Sequence, residues 1–377
     1  MRSRSPTRIL HVVAGMDRGG IETWLMHILR HLDRERFHMD FMIQTTEKED
    51  YEDEIRELGS QIFRYSHRQR PVKHDRDFRR ILRDQGPYDV LHSHRYLYSG
   101  YALHRARQAD IPVRIAHSHN DFSPESEKRS APWKMYATLM RRWIANDATV
   151  GLAASREAAR ALFGPTWEAD PRLRVLYYGI DLEPFWGIAD PAAVRLELGI
   201  PANAFVMGHV GRFFEQKNHE FLVEVASEVI MREPKARLLM VGDGPLRRSI
   251  EQRVARAGIQ GRTIFAGVRP DVPRLMLGAM DVFIMPSFFE GLPMVGIEAQ
   301  AAGLPFVLSD AISKEMDVAH PLIHRLSLSQ PASVWAETIL AARNAKPSIR
   351  QDGRRLIEES PFNIDRSARE LEKVYGG

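Results

Sequence analysis

Phe205-Val206-Met207-Gly208-His209-Val210-Gly211-Arg212-Phe213-Phe214-Glu215-Gln216-Lys217-Asn218, residues 205–218, opens as an apolar run of strand length and ends in a glycine-bearing loop with two cations. It restarts, at mid-chain, an alternation of short β-rich runs and helical patterns that began at the other end of the sequence. Such alternation predicts parallel sheets built from βαβ units. Before the restart the strand runs fall at residues 9–14, 39–44, 61–65, 90–94, 113–117 and 150–154; from it onward they fall at 205–210, 236–241, 263–266, 281–285 and 305–309. A chain of 377 residues also exceeds what a single core ordinarily supports. The expectation is therefore an α/β protein of two Rossmann-like domains, residues 1–185 and 186–361. They are joined through a linker at 175–185, a strand followed by Gly179, Asp181 and Pro184, and an amphipathic segment within 362–377 packs back on the first domain.

Composition narrows the function. The chain is 44% apolar and 27% charged, as soluble globular proteins are, and no apolar run approaches the roughly 20 residues of a membrane-spanning helix. The opening eight residues lead straight into a strand run, so no signal peptide is expected and the cytoplasm is the default location. Cysteine is absent, which excludes disulfides, zinc-thiolate sites and cysteine nucleophiles. Net charge is only +4, yet arginines crowd residues 64–83 and 129–142. That asymmetry suits phosphate groups or peripheral contact with an anionic membrane rather than a nucleic-acid partner.

Open parallel sheets bind ligands at the carboxyl ends of their strands, so the loops after strands carry the chemistry. In Phe289-Glu290-Gly291-Leu292-Pro293-Met294-Val295-Gly296-Ile297-Glu298, a loop bearing Glu290, Gly291 and Leu292 runs into a helix whose first amides are free to meet an anion. Glu290 on the loop and Glu298 on the helix can grip two parts of one ligand, although most such acids are ordinary surface groups. After strand 205–210, Gly211 allows close backbone approach while Arg212 and Lys217 supply a forked donor and a point charge, a set suited to a diphosphate. Gly242 and Gly244 form a tight turn before Pro245. Neither that turn nor residues 15–20 completes G-x-G-x-x-G, which counts against a dehydrogenase. Gly19 and Gly20 open a helix at 21–32 and either admit a donor phosphate or serve a turn of positive φ. His92, His94, His117 and His119 sit at strand ends; with no acid inside either H-x-H and no cysteine, hydrogen bonding to sugar hydroxyls or phosphate is expected in place of a metal. The stripe Trp133, Tyr136, Ala137, Met140 and Ile144 reads as core packing in preference to a membrane face.

Taken together these pieces resemble the retaining glycosyltransferases of the GT-B fold, glycosyltransferase family 4, over essentially the whole chain. The resemblance rests on residues 15–20, on 116–120, on Tyr178-Gly179-Ile180-Asp181, on 211–218, on 241–245, and above all on the E-x7-E element from Glu290 to Glu298. It implies two Rossmann-like domains facing each other across a cleft, and a nucleotide-sugar donor, a UDP-sugar favoured, that is a substrate and not a cofactor. Glu290 is then expected on the donor sugar, Glu298 on the ribose, Arg212 and Lys217 on the diphosphate, and His117, or else His119, beside the reacting sugar. Gly19, Gly20, Gly211, Gly242, Gly244, Gly291 and Leu292 would line the donor, with His94, His119 and Asn120 toward sugar or acceptor. The acceptor would be a glycan or lipid-linked glycan of bacterial surface or exopolysaccharide synthesis, and transfer would need no metal. Tyr178 stands where the family usually has asparagine, and Gly296 and Gln300 also depart from its pattern. A nucleotide-sugar epimerase or a non-catalytic nucleotide-sugar binding protein are the competing readings.

Overall fold

The computed structural model describes residues 5–65, 71–119, 130–187, 189–343 and 347–376, which form two compact units. The first comprises Met1–Gly179 with Ile364–Gly377, and the second Ile180–Asn363. In the first, β1 (Thr7–Val12), β2 (Phe37–Ile43), β3 (Ile62–Arg64), β4 (Val90–Ser93), β5 (Val113–Ser118), β6 (Val150–Ala153) and β7 (Leu173–Val175) pair in the order β3-β2-β1-β4-β5-β6-β7. In the second, β8 (Phe205–Val210), β9 (Ala236–Val241), β10 (Thr263–Gly267), β11 (Val282–Met285), β12 (Phe306–Ser309) and β13 (Ile323–Leu326) pair as β10-β9-β8-β11-β12-β13. All these pairings are parallel.

Strand order reverses direction once in each sheet, between β1 and β4 and between β8 and β11. Crevices in doubly wound sheets open at such switch points, because the crossover helices leave to opposite faces there. The loops at 13–19 and 94–98 border the first, and those at 211–218 and 286–293 the second. Central strands are covered on both faces and read as apolar runs: Ile9, Leu10, Val206, Met207, Ile284 and Met285 are fully buried. Trp24 and Trp335 anchor helices onto the two sheets with no exposed surface.

One strand escaped the sequence reading and another was placed only as the start of the linker, at Val175; both lie at sheet edges, where one neighbour suffices and polar residues are tolerated. β7 is three residues long with Arg174 exposed. β13 reads Ile-His-Arg-Leu; its Arg325 is held by Asp317 at 2.6 Å and by the carbonyls of Ile312 and Ser313 at 2.7 and 2.9 Å.

The unit boundary falls between Gly179 and Ile180, ahead of the expected 185/186. Ile180, Leu182 and Phe185 are the cause: all three are buried, and Ile180 N–H donates to Phe362 O at 2.8 Å within the second unit. The chain returns to the first unit with the helix Ile364–Gly376, where Ala368, Leu371 and Tyr375 are buried and Ser367 Oγ donates to Tyr177 O at 3.0 Å. In the helix Ala131–Asp147, Ala137, Met140 and Ile144 face the core while Trp133 and Tyr136 are partly covered.

Candidate active site

At the switch point of the second sheet, the loop after β8 is built against the turn after β9. Gly211 N–H donates to Val241 O at 3.0 Å, Phe213 N–H to Asp243 O at 2.9 Å, and Leu246 N–H to Phe213 O at 3.0 Å. Gly242 sits at φ +128°, and a Cβ there would lie 2.1 Å from Gly211 O; one at Gly244 would lie 2.8 Å from Phe213 N. These two glycines are thus required by loop-on-loop packing, which aims the 211–218 segment at the crevice. A 3-10 turn at Glu215–Lys217 then places Gln216 and Lys217 over the loop that follows β11.

Here the predicted charges meet. Lys217 Nζ lies 2.5 Å from Glu290 Oε1, with side chains 16% and 10% exposed. Gln216 Nε2 donates to Phe289 O at 2.9 Å and Glu290 Oε2 at 3.2 Å, and Phe288 N–H donates to Gln216 O at 2.9 Å. Arg212 is exposed, lies over the Phe214 ring at 4.8 Å, and has no acidic partner among the described residues. Gly291 and Leu292 are half-buried on the loop leading to the helix Met294–Ala301. Glu298 on that helix is half-buried, its carboxylate has no hydrogen-bond partner among the described residues, and burial pushes that carboxyl up to about 7. An acid held without a partner at a sheet's carboxyl edge is a ready acceptor for ligand hydroxyls.

The departures at Gly296 and Gln300 have packing causes. A Cβ on Gly296 would stand 2.1 Å from Met316 Cε. Gln300, fully buried, donates to Gly296 O and Met316 O and accepts from the amides of Val318 and Ala319, at 2.8–3.1 Å. One side chain therefore ties the helix of the E-x7-E element to the segment after β12.

The first unit is differently made. Gly19 is the extended N-cap of the helix Gly20–His31, and neither Gly19 nor Gly20 has positive φ, so the turn reading of these glycines is corrected. A Cβ on Gly19 would lie 2.4 Å from Glu22 Oε2. Nearby, Met16 N–H donates to the Glu49 carboxylate, which also lies against Gly15.

All four predicted histidines come together at the ends of β4 and β5, and His11 of β1 joins them. Register pairs His11 with His92 across β1 and β4. His11 Nδ1 and His94 Nε2 are 2.9 Å apart, His94 Nδ1 and His119 Nε2 2.8 Å, and His92 Nε2 and His117 Nδ1 3.1 Å. Tyr375 OH lies 2.8 Å from His92 Nδ1 and 3.4 Å from His11 Nε2, while Tyr178 OH bonds His119 Nδ1. Burial pushes the His11 imidazole down to about 3, and burial with mutual repulsion holds the other four well below the usual range, so all are neutral. Nitrogens of His11, His92 and His94, and again of His94, His117 and His119, lie within 4.8 Å of one another, within reach of one metal ion, a possibility the sequence reading set aside. No carboxylate belongs to either set. Asn120 lies outside the described residues. His11 and Tyr375 were missed because neither belongs to a motif: one is a polar residue inside a strand run, the other arrives from more than 360 positions away.

Comparison with known proteins gives concordant matches. Residues 18–184 match the family model described as Glycosyltransferase Family 4, and residues 204–328 that described as Glycosyl transferases group 1. The chain is 36% identical over 376 residues to a putative glycosyltransferase, EpsF, of Bacillus subtilis, covering 98% of this chain and 97% of that one. It is 30% identical over 231 residues, 59% of this chain and 58% of the other, to an Escherichia coli UDP-Gal:alpha-D-GlcNAc-diphosphoundecaprenol alpha-1,3-galactosyltransferase. In fold it is similar to Anabaena Alr3699/HepE, crystallised with UDP and glucose, at a TM-score of 0.80 and 18% identity over 98% of this chain and all of that one.

Proposed function

We propose that this chain, which belongs to the family 4 glycosyltransferases, moves a sugar from a UDP-sugar to a glycan or lipid-linked acceptor with retention of anomeric configuration. The observation that carries the reading is the Lys217–Glu290 pair beside Arg212, which has no acidic partner among the described residues, at the switch point of the second sheet. A nucleoside diphosphate brings negative charge that competes with Glu290 for Lys217 and recruits Arg212. Glu290, released from its lysine, is then free to accept hydrogen bonds from sugar hydroxyls, and Glu298 from ribose hydroxyls.

In the chemical step the bond from C1 to the diphosphate oxygen breaks, the acceptor oxygen bonds C1 from the same face, and its proton passes to the departing diphosphate. Arg212 and Lys217 stabilise the charge that grows on the leaving group, which is the work a metal does in other transferases. His117 lies beside the reacting sugar in this reading, with His94, His119 and Asn120 toward sugar or acceptor. The UDP bound to the Anabaena protein, the UDP-galactose in the name of the E. coli relative and the lipid diphosphate in its acceptor support the choice of substrates. The similarity to EpsF supports a role in exopolysaccharide synthesis.

No helix among the described residues is long and apolar enough to cross a membrane. Peripheral contact with an anionic leaflet is supported by the helix Ala131–Asp147, where Met135 and Leu139 are 73% and 43% exposed beside the exposed Lys134, Arg141 and Arg142.

Thermal stabilisation by UDP, GDP, ADP and their sugars tests the donor class, since a ligand of the folded state raises its melting midpoint. A selective rise with UDP and one UDP-sugar is expected. Transfer by protein treated with a chelator, followed by proton NMR of the product anomer, then tests metal independence and retention. Donor turnover without acceptor would replace the reading with epimerisation.

A further inference from the structure

The imidazole contacts of the first unit share a polarity that no pair alone reveals. From one end the chain runs Tyr178 OH, His119, His94, His11, Tyr375 OH, His92, His117, and at every step the Nδ1 side of one ring meets the Nε2 side of the next or a tyrosine hydroxyl. A neutral imidazole has one N–H and one lone pair, and a hydroxyl has one proton to give. Two directions alone therefore satisfy every link and also give the Tyr375 proton an acceptor. In one, all five histidines carry the proton on Nδ1 and hydrogen bonds point from His117 toward Tyr178; in the other all five carry it on Nε2 and every bond reverses. A mixed arrangement either leaves the buried Tyr375 proton without an acceptor, when its oxygen accepts from both His11 Nε2–H and His92 Nδ1–H, or places two lone pairs or two N–H groups face to face, at about 1–3 kcal/mol for each unmade bond.

We propose that His11, His92, His94, His117 and His119 hold one common tautomer, and that Tyr178 and Tyr375 act through this chain as positioning residues that decide whether His117 Nε2 is a hydrogen-bond donor or acceptor. His117 Nε2 is the end of the chain: it is buried and without a partner among the described residues, whereas every other nitrogen of the five rings is bonded. Its neutral state follows from the surroundings. Trp24 lies edge-on to His117 at 5.3 Å, and among the described residues no acidic group enters the chain of bonds. A reversal shifts each N–H or O–H proton by one site along the chain, with no net gain or loss of protons. The consequence for sugar recognition rests on the place given to His117 under the proposed function; the tautomers themselves do not.

The test uses the whole chain labelled with 15N-histidine, with the five resonances among 15 histidines assigned by single His→Gln variants. Nitrogen shifts distinguish protonated from bare ring nitrogens, and all five are expected to report the same tautomer. Tyr375→Phe keeps the ring and removes the hydroxyl that joins His11 to His92. The His117 signals are then expected to change to a mixture of tautomers. Tyr178→Phe keeps its stacking on Trp24 at 4.7 Å and is expected to alter His117 as well, although its hydroxyl reaches His119 alone. Two variants guard against one failing to fold. Mixed tautomers in the unaltered protein, His117 signals unmoved in both variants, or a stoichiometric metal on elemental analysis would each overturn the proposal. None of these readouts requires the transferase substrates, so a failed activity assay and a failed relay are distinguishable.

Discussion

The two switch points of this protein are equivalent in topology and opposite in chemistry. At the second sheet, cations and carboxylates sit side by side, Lys217 on Glu290 with Arg212 beside them and, among the described residues, without an acidic partner. At the first, five neutral imidazoles are bonded to one another and to tyrosines with no ion pair among them. A fold that delivers strand ends to a crevice leaves the chemistry of that crevice to a few side chains. Charge is suited to holding a diphosphate as its bond breaks, and neutral donors and acceptors are suited to reading hydroxyls without binding stray anions.

The largest expected effect would break the charged half: Glu290→Gln should cut transfer by about 100- to 1,000-fold while UDP affinity changes only a few-fold, comparing kcat with calorimetric Kd. Equal losses in both would return Glu290 to a structural role. Gly242→Ala drives a Cβ into the Gly211 carbonyl at a φ that alanine resists, and should destabilise the second unit by about 2–4 kcal/mol, read as a lowered denaturation midpoint. Removing a cation should be milder. Arg212→Ala is expected to weaken UDP binding about 10-fold, with the salt dependence of Kd flattened relative to the unaltered protein.

The smallest effect concerns Glu298 and has a definite sign. Its carboxyl is raised in the folded state to about 7 from an ordinary 4.5, so the cost of its charge is absent below pH 4.5 and complete above about 7. Glu298→Gln should therefore be more stable than the unaltered protein at pH 8 by about 1–3 kcal/mol, a figure discounted because the carboxyl keeps some contact with water. The gap should shrink to a fraction of that at pH 5, and a gap independent of pH would mean the charge is not buried.

The same contrast measures what a sequence reveals. Strands β8 and β9 could be read to the residue, because central parallel strands are uninterrupted apolar runs bounded by glycine loops. The edge strands β7 and β13 could not, since their patterns are those of any short polar segment. The charged site was legible as well: Glu290, Lys217 and Arg212 lie in loops that immediately follow strands, so local spacing locates them. The histidine chain was half legible. His92, His94, His117 and His119 announce themselves as pairs, but that His11 pairs in register with His92 depends on strand order, and that Tyr375 closes the gap between them depends on a helix crossing back from the far end. Gly242 and Gly244 show the converse: their spacing predicts a tight turn, and what the structure adds is the neighbouring loop that a Cβ at either would strike.

That returning helix also dictates an order of construction. On the ribosome, all of β8 to β13 is made before Ile364–Gly376, so the second unit can mature while the first still lacks the segment that buries Leu371 and Tyr375. Vectorial synthesis is thereby inverted: the unit begun first is finished last, and chains arrested before that helix would hold a complete second unit tethered to an unfinished first one with an apolar seam open to chaperones.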